Sequence, residues 1–296
     1  MIRGIDLYSF VKQEATKHHN IEWRNEKVIS IDGVTGDTAL VRLETGTVTA
    51  EWVFNSILFD NHPVSIPGTP GYYLLQHFKG WVIETKQDAF DPSVATYMDF
   101  RVSQEAGTTF MYVLPVSKKK ALVEYTLFTE TLLKGEQYTN ALKEYIHHSL
   151  NLTEYHIEHE ETGIIPMTNR LFPLQQGRQV NMGIAGGQAK GSSGYAFQFI
   201  QKRTTDIINA LISGNDNFNR RSLNDRKFHL FDSVLLSVLH NRKMGGDKIF
   251  ASIFKKNPPE RVFRFLDNES TLWEDLQIMQ SVPTAVFLPA ALQEMF

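Results

Sequence analysis

The stretch from Tyr72 to Phe128 limits the fold more than any other part of this 296-residue chain. It reads as four successive strands: "YYLLQHFKGWVIET", "VATYMDFRV", "GTTFMYVLPV" and "KALVEYTLF". Apolar and polar residues alternate along them, and β-branched and aromatic residues are frequent, which suits a pleated, half-buried surface. Strands joined by short polar turns, with no helix between them, form an antiparallel sheet. Around this block the pattern changes. "IDLYSFVKQEATKHH" predicts a helix at about 5–18, and "TALVRLETGTVTAEWVFNSI" predicts two strands around Thr45-Gly46. "NHPVSIPGTPGYY", with three prolines and two glycines, is the clearest linker, and a domain boundary is expected there. "YTNALKEYIHHSL" and "AFQFIQKRTTDIINALI" have helical spacing, while "YHIEHEETGIIPM" and "RQVNMGIAG" return to strand. The C-terminal part is a series of helices, with Pro258 and Pro259 suited to a helix start and Ser270 to an N-cap. The expected class is α+β: an antiparallel sheet with a helical C-terminal cap.

Composition removes several functions. The net charge of −3 gives no basic field for nucleic acid, and the only tight basic run is Lys118, Lys119 and Lys120, read as a solvated hairpin tip or a contact for anionic lipid. The absence of cysteine excludes disulfides, zinc-thiolate sites and cysteine nucleophiles, so a reducing, cytoplasmic setting is expected. No run of about 18 apolar residues is present, which leaves peripheral membrane attachment open. None of the histidine pairs forms H-E-x-x-H, so no metal site is expected, and no G-x-S-x-G elbow is present.

"GIAGGQAKGSSGYAF", Gly183 to Phe197, is the most distinctive short stretch. Gly186 and Gly191 have P-loop spacing, but Ser192 follows where lysine is required, and the only lysine, Lys190, precedes the second glycine. The P-loop reading therefore fails. A strand running through a glycine-rich turn into a helix still offers unpaired backbone N–H groups to an anion, and Ser192 or Ser193 could cap the helix. A ligand cradle and a tight structural turn both remain open on chemistry alone. Glu124 shares a strand face with Leu122, Thr126 and Phe128, so either it is an edge-strand glutamate facing water or its pKa is raised, as in a general acid. Asp99 shares a face with Tyr97 and Arg101 on simple alternation, and reads as an ion pair or as a second carboxylate of a site. The aromatics of "FMYVLP", "GYAFQF", "VFRFLD" and "KGWVIE" read as core, or as faces that stabilise a cation in a dry pocket.

Taken together, "LLQHFKGWVIET", "DPSVATYMDFRV", "FMYVLPVSKKKALVEYTLF", "GIAGGQAKGSSGYAF" and "IFKKNPPERVFRFLDNESTLWEDLQIM" resemble the bacterial lycopene cyclase family, over about residues 20–295. The resemblance implies a flavoprotein of the glutathione-reductase/hydroxylase-like type. It also implies redox-neutral protonation of a linear C40 polyene end, ring closure, and proton loss to a β-ionone ring. Reduced FAD is the implied cofactor and NAD(P)H its reductant. By the same resemblance Glu124 and Asp99 are catalytic, and Gly183, Ala185, Gly186, Gly187, Ser192, Ser193, Gly194 and Tyr195 face the flavin. Phe110, Tyr112, Trp81 and Phe197 are expected to line the substrate pocket. The implied domains are a partial FAD-binding domain at 1–61 and 162–215, a substrate sheet at 62–161, and a helical cap at 216–296. The family opens with a βαβ unit carrying G-x-G-x-x-G, and that fingerprint does not occur in this sequence. A separate N-terminal chain completing the FAD site is therefore an expected partner, alongside lycopene or a related carotenoid and a membrane surface. Two rival functions are a flavin-dependent oxidoreductase or hydroxylase acting on another apolar substrate, and an inactive or complementing cyclase fragment.

Overall fold

The computed structural model describes residues 3–32, 37–59 and 71–295. The linker expected at 61–73 lies almost wholly outside them. The chain divides into two units, one comprising Met1–Val53 with Gly177–Gln179, the other Phe54–Gln176 with Val180–Phe296.

In the first unit, α1 (Gly4–Ala15) precedes an antiparallel sheet of β1 (Val28–Asp32), β2 (Ala39–Leu43) and β3 (Thr47–Ala50), in that order. The turn at Thr45-Gly46 joins β2 to β3 as its sequence predicts, with Val41 opposite Val48. The short β4 (Val53–Asn55) begins at the last residue of this segment, Val53, and its other two residues belong to the second unit.

The second unit is built on a five-stranded antiparallel sheet. Its strands are β5 (Tyr73–Glu84), β6 (Thr96–Asp99), β7 (Thr108–Pro115), β8 (Lys120–Thr129) and β9 (His156–Thr168), with α2 (Gly135–His148) between β8 and β9. The order is β6-β7-β8-β5-β9, so β5 and β8 are central and β9 is an edge. The Lys118–Lys120 run sits at the β7–β8 hairpin, where Lys118 pairs with Asp88 and Lys120 with Glu158. After β9 come β10 (Gln175–Gln176), β11 (Gln179–Asn181) and a 3-10 turn at Gly183–Gly186. Six of the eight helices among the described residues follow: α3 (Phe197–Ile212), α4 (Leu223–His240), α5 (Gly246–Lys256), α6 (Pro259–Leu266), α7 (Leu272–Gln280) and α8 (Thr284–Met295). No helix among the described residues is long and apolar enough to cross a membrane.

Both faces of the sheet are covered, because alternation sends apolar residues each way. One face carries Trp81, Ile83, Val113, Val123, Tyr125 and Leu127 and packs against Leu142, Tyr145 and Ile146 of α2. The other carries Leu74, Phe110, Phe128 and Met167 and packs against Leu236 of α4 and Phe250 of α5. Each such side chain contributes roughly 1.5–3 kcal/mol of hydrophobic stabilisation. The cap is fixed at its ends by polar contacts. Tyr72 Oη donates to Glu294 of α8 at 2.7 Å and lies 3.0 Å from Ser237 of α4. The helix starts differ in one detail from the sequence reading. Pro259 opens α6 as expected, but α7 is capped by Thr271, in a reciprocal box with Glu274, while Ser270 turns inward to Asp275 at 2.6 Å.

At Gly163 on β9 the ring of Phe78 on β5 lies over the missing side chain: an added Cβ would stand 2.6 Å from the ring carbon Cε1. Gly163→Ala is expected to cost about 1–3 kcal/mol by overpacking, read as a lower urea midpoint. Adding Phe78→Leu should recover part of that loss.

Candidate functional site

The register of the central strands sets the site. Tyr112 stands opposite Glu124, and Phe110 opposite Thr126, so all four face the helical cap. From β6, Tyr97 packs edge-on against Tyr112, with ring centroids 5.3 Å apart. Phe254 of α5 and Phe263 of α6 meet Tyr97 at 5.4 and 5.6 Å. Phe110 closes the row, 5.2 Å from both Tyr112 and Phe128. A cavity bordered by Tyr97, Tyr112, Phe128 and Phe254 also touches Ser192, Ser193 and Tyr195, and it holds only about 30 Å³ of free space. That is room for a water or two, so a larger ligand enters only by displacing the rings. Burial raises the Tyr97 and Tyr112 phenols well above their ordinary range, so both stay neutral.

Glu124 is the carboxyl of β8 on this face. Burial pushes its pKa up to about 7 from an ordinary 4.5, helped by the nearby Glu161 carboxyl and opposed by the Thr126 hydroxyl, which donates to Oε1 at 2.8 Å. The sequence left a water-facing edge glutamate open. The structure instead gives a central-strand carboxyl that carries a proton over much of the neutral range.

The glycine loop is largely buried and committed to packing. Lys190, only 1% exposed at its side chain, pairs with Asp232 of α4 at 2.8 Å and donates to Asn268 at 2.7 Å. Its ammonium also lies over the rings of Phe228 and Phe265. The Ser192 hydroxyl donates to the same Asp232 at 2.6 Å. Neither Ser192 nor Ser193 caps α3, which starts after Ala196 with no side-chain cap at all. Gly194 has φ +71°, and a Cβ there would overlap the Gln76 side chain, so only glycine fits. Gly186 and Gly187 are likewise crowded by Asn181 and Phe172, and Ala185 is buried. Gly183 differs. Its φ is +60° and its open side meets nothing closer than Ser56, 3.9 Å away. Tyr195 leaves the loop to pack against α6 and α7, its hydroxyl 3.1 Å from that of Tyr112.

The sheet separates other residues expected at one site. Simple alternation places Asp99 on the face of Tyr97, but Met98 adopts φ +53° and the β6–β7 register shifts there. The left-handed residue turns Asp99 to the α2 face. There it binds Arg101 at 2.6 Å and accepts from Tyr145 Oη at 2.6 Å. Burial works against its charge, but Arg101 and Tyr145 outweigh it and hold the carboxyl below its ordinary range. Trp81 also lies on the α2 face, in the core there, with Nε1 donating to Glu160 at 2.8 Å. Phe197 is half exposed at the start of α3. The cavity borders Tyr112 from the expected set, together with Tyr97 and Phe254, while Phe110 and Phe263 are not in its lining and pack against the rings of Tyr112 and Tyr97. Of these, Phe263 was signalled by "VFRFLD", whereas Phe254 had no local signal.

The chain matches the family model described as lycopene cyclase protein over residues 1–292. No curated protein matches it. Among solved structures it is similar to a geranylgeranyl bacteriochlorophyll reductase-like protein from Thermoplasma acidophilum. That match has 14% identity and a TM-score of 0.59, and covers 98% of this chain and 73% of that one. A flavoprotein/dehydrogenase from Cytophaga hutchinsonii matches at 11% identity and TM-score 0.57, over 98% of this chain and 74% of that one. A triple mutant of the flavin-dependent brominase Bmp2 matches at 12% identity and TM-score 0.51, over 95% and 75%. At these identities the likeness establishes the fold alone, an α+β architecture as expected from the sequence.

Because Lys190 and Asp232 hold the loop to α4 from a buried position, Lys190→Met should cost about 3–5 kcal/mol, as removal of one partner of a buried pair does. Urea unfolding at neutral pH measures it. Combining Lys190→Met with Asp232→Leu should recover much of the loss.

Proposed function

The chain belongs to the lycopene cyclase protein family, and from that premise we propose that it closes a ring at the end of a linear C40 polyene. The observation that carries this reading is Glu124: a half-buried carboxyl with pKa about 7, opposite Tyr112, whose ring borders a nearly dry aromatic cavity. Protonating an alkene needs an acid that is still loaded near neutral pH and a pocket where water cannot quench the cation.

In the proposed step the Glu124 O–H bond breaks as a C–H bond forms at the terminal double bond, leaving a cation on the adjacent carbon. A second double bond of the chain attacks that carbon and closes the six-membered ring. Loss of a ring proton restores a double bond, so no net electrons move. The faces of Tyr97, Tyr112 and Phe110 offer negative π density to the cation. The Tyr112 phenol stays neutral, and its hydroxyl is fixed by a hydrogen bond with that of Tyr195. Because the cavity is so small, the polyene end must part the rings supplied by α5 and α6.

A reduced FAD cofactor, with NAD(P)H as its reductant, is part of the proposal. The chain fits a flavin along one stretch. Gly183 leaves open space above its backbone, and the first turn of α3 presents N–H groups free of any side-chain cap. Gly183, Tyr195 and that turn would hold the group, while Ser192 is occupied by Asp232. When bound, a reduced flavin supplies electron density that stabilises a nearby cation. Asp99, on the α2 face, serves in this reading by fixing β6 to α2 through Tyr145. Contact with a membrane surface, where the substrate resides, is proposed through Leu272, Trp273 and Leu276, which are exposed on α7.

Expression in a lycopene-accumulating host tests the reading, with cyclic carotenoids measured by chromatography. Cyclic product is expected from the wild type, and Glu124→Gln should lower it by about 10²-fold or more. In cell extracts the rate should fall as pH rises through about 7, where Glu124 loses its proton. Linear carotenoid alone from the wild type, with folded protein present, would overturn the proposal.

A further inference from the structure

Gly80 lies in the middle of β5, opposite Glu124 of β8 on one side and Glu161 of β9 on the other. Directly opposed residues of an antiparallel ladder share a face, so the two carboxyl side chains flank a residue that has none. A glycine inside a strand weakens it and marks a place where something approaches closely. Here two side chains approach: Leu122 of β8, whose Cδ1 would stand 3.0 Å from a Cβ on Gly80, and Glu161 of β9. A Cβ on Gly80 would stand 3.1 Å from Glu161 Cγ and 3.2 Å from its Oε1, so this side chain folds over the glycine toward β8. The nearby Glu161 carboxyl favours the protonated form of Glu124. The lysines of this region are engaged elsewhere: Lys79 with Glu160, alongside Trp81 on the α2 face, and Lys120 with Glu158. Both glutamates are half-buried, and Glu161 stands on the edge strand.

We propose that Glu161 is a positioning residue for Glu124: the two carboxyl groups share one proton across Gly80. This rests on the reading of Glu124 as the acid. Two adjacent carboxylates cannot both ionise cheaply, so the pair retains a proton that a lone glutamate would lose. When Glu124 gives its proton to the polyene, the O–H electron pair stays on its oxygen and the site holds two like charges. The proton released from the ring later returns to the pair and relieves that repulsion. The cycle balances with no oxidant or reductant, and the glycine lets the two oxygens approach.

The test is the titration of Glu124 in the protein without substrate, followed by infrared difference spectroscopy of its carboxyl band and assigned by the loss of that band in Glu124→Gln. The groups facing Glu124 are Glu161 from β9, Tyr112 from β7 and the Thr126 hydroxyl on its own strand, so pH-dependent change is assigned against these. In Glu161→Gln, which keeps the shape and removes the charge, the Glu124 midpoint should fall by roughly one pH unit. Glu161→Asp should restore most of it. An unchanged midpoint in a folded Glu161→Gln protein overturns the proposal, as does a wild-type Glu124 that titrates at the ordinary glutamate value. The readout needs no turnover. A shifted midpoint in a protein that forms no cyclic carotenoid therefore refutes the cyclase reading and leaves the proton-sharing pair standing.

Discussion

The register of β8 between β5 and β7 is the constraint on which the site depends. Slipping β8 by one residue would turn Glu124 to α2 and Val123 and Tyr125 to the helical cap. The observed register is held by burial on both faces. Val123, Tyr125 and Leu127 fill the α2 side, and Phe128 fills the cap side beside Phe110. Neither set tolerates exchange with a carboxyl, so packing on one face fixes the chemistry available on the other.

Electrostatics then divides the acidic residues. Asp99 has an arginine and a phenol to stabilise its charge, and Asp232 has a buried ammonium and a serine hydroxyl. Both are engaged by these partners. Glu124 has one hydroxyl and another carboxyl, and its neighbours are largely aromatic. This carboxyl keeps its proton near neutral pH, opposite a tyrosine that borders a cavity with almost no room for water. The loop at Gly183–Tyr195 is consistent with that division. Its polar side chains are turned inward and spent on Asp232 and Asn268, which leaves backbone as what it offers outward.

Much of this was legible in the sequence. The strands of the second unit follow from alternation, and the failure of the P-loop pattern at Ser192 agrees with a Lys190 that is buried in an ion pair. Glu124 was readable because its strand neighbours i±2 are apolar or small. What escaped was non-local or irregular. The left-handed Met98 breaks the alternation that placed Asp99 beside Tyr97. Pairing of β9 with β5 brings Glu161 to Gly80 from a site 81 positions later in the chain, and nothing local announces that partnership. α8 contains Pro289, a residue that argues against a helix interior, yet Ala290 beside it is fully buried against α4 and α5 residues. The interior glycine of "FKGWVIE" was the one available clue to the carboxyl pair, since a strand loses stability at glycine without a reason of close approach.

The central claim is that a protein carboxyl protonates the substrate. It is tested most directly by a single turnover in D₂O, with the protein pre-equilibrated in D₂O, in excess over the linear carotenoid and supplied with reduced flavin. The account predicts a cyclic product carrying one deuterium for each ring formed, and no such product from Glu124→Gln. A cyclic product without deuterium, or equal deuterium from Glu124→Gln, would contradict it.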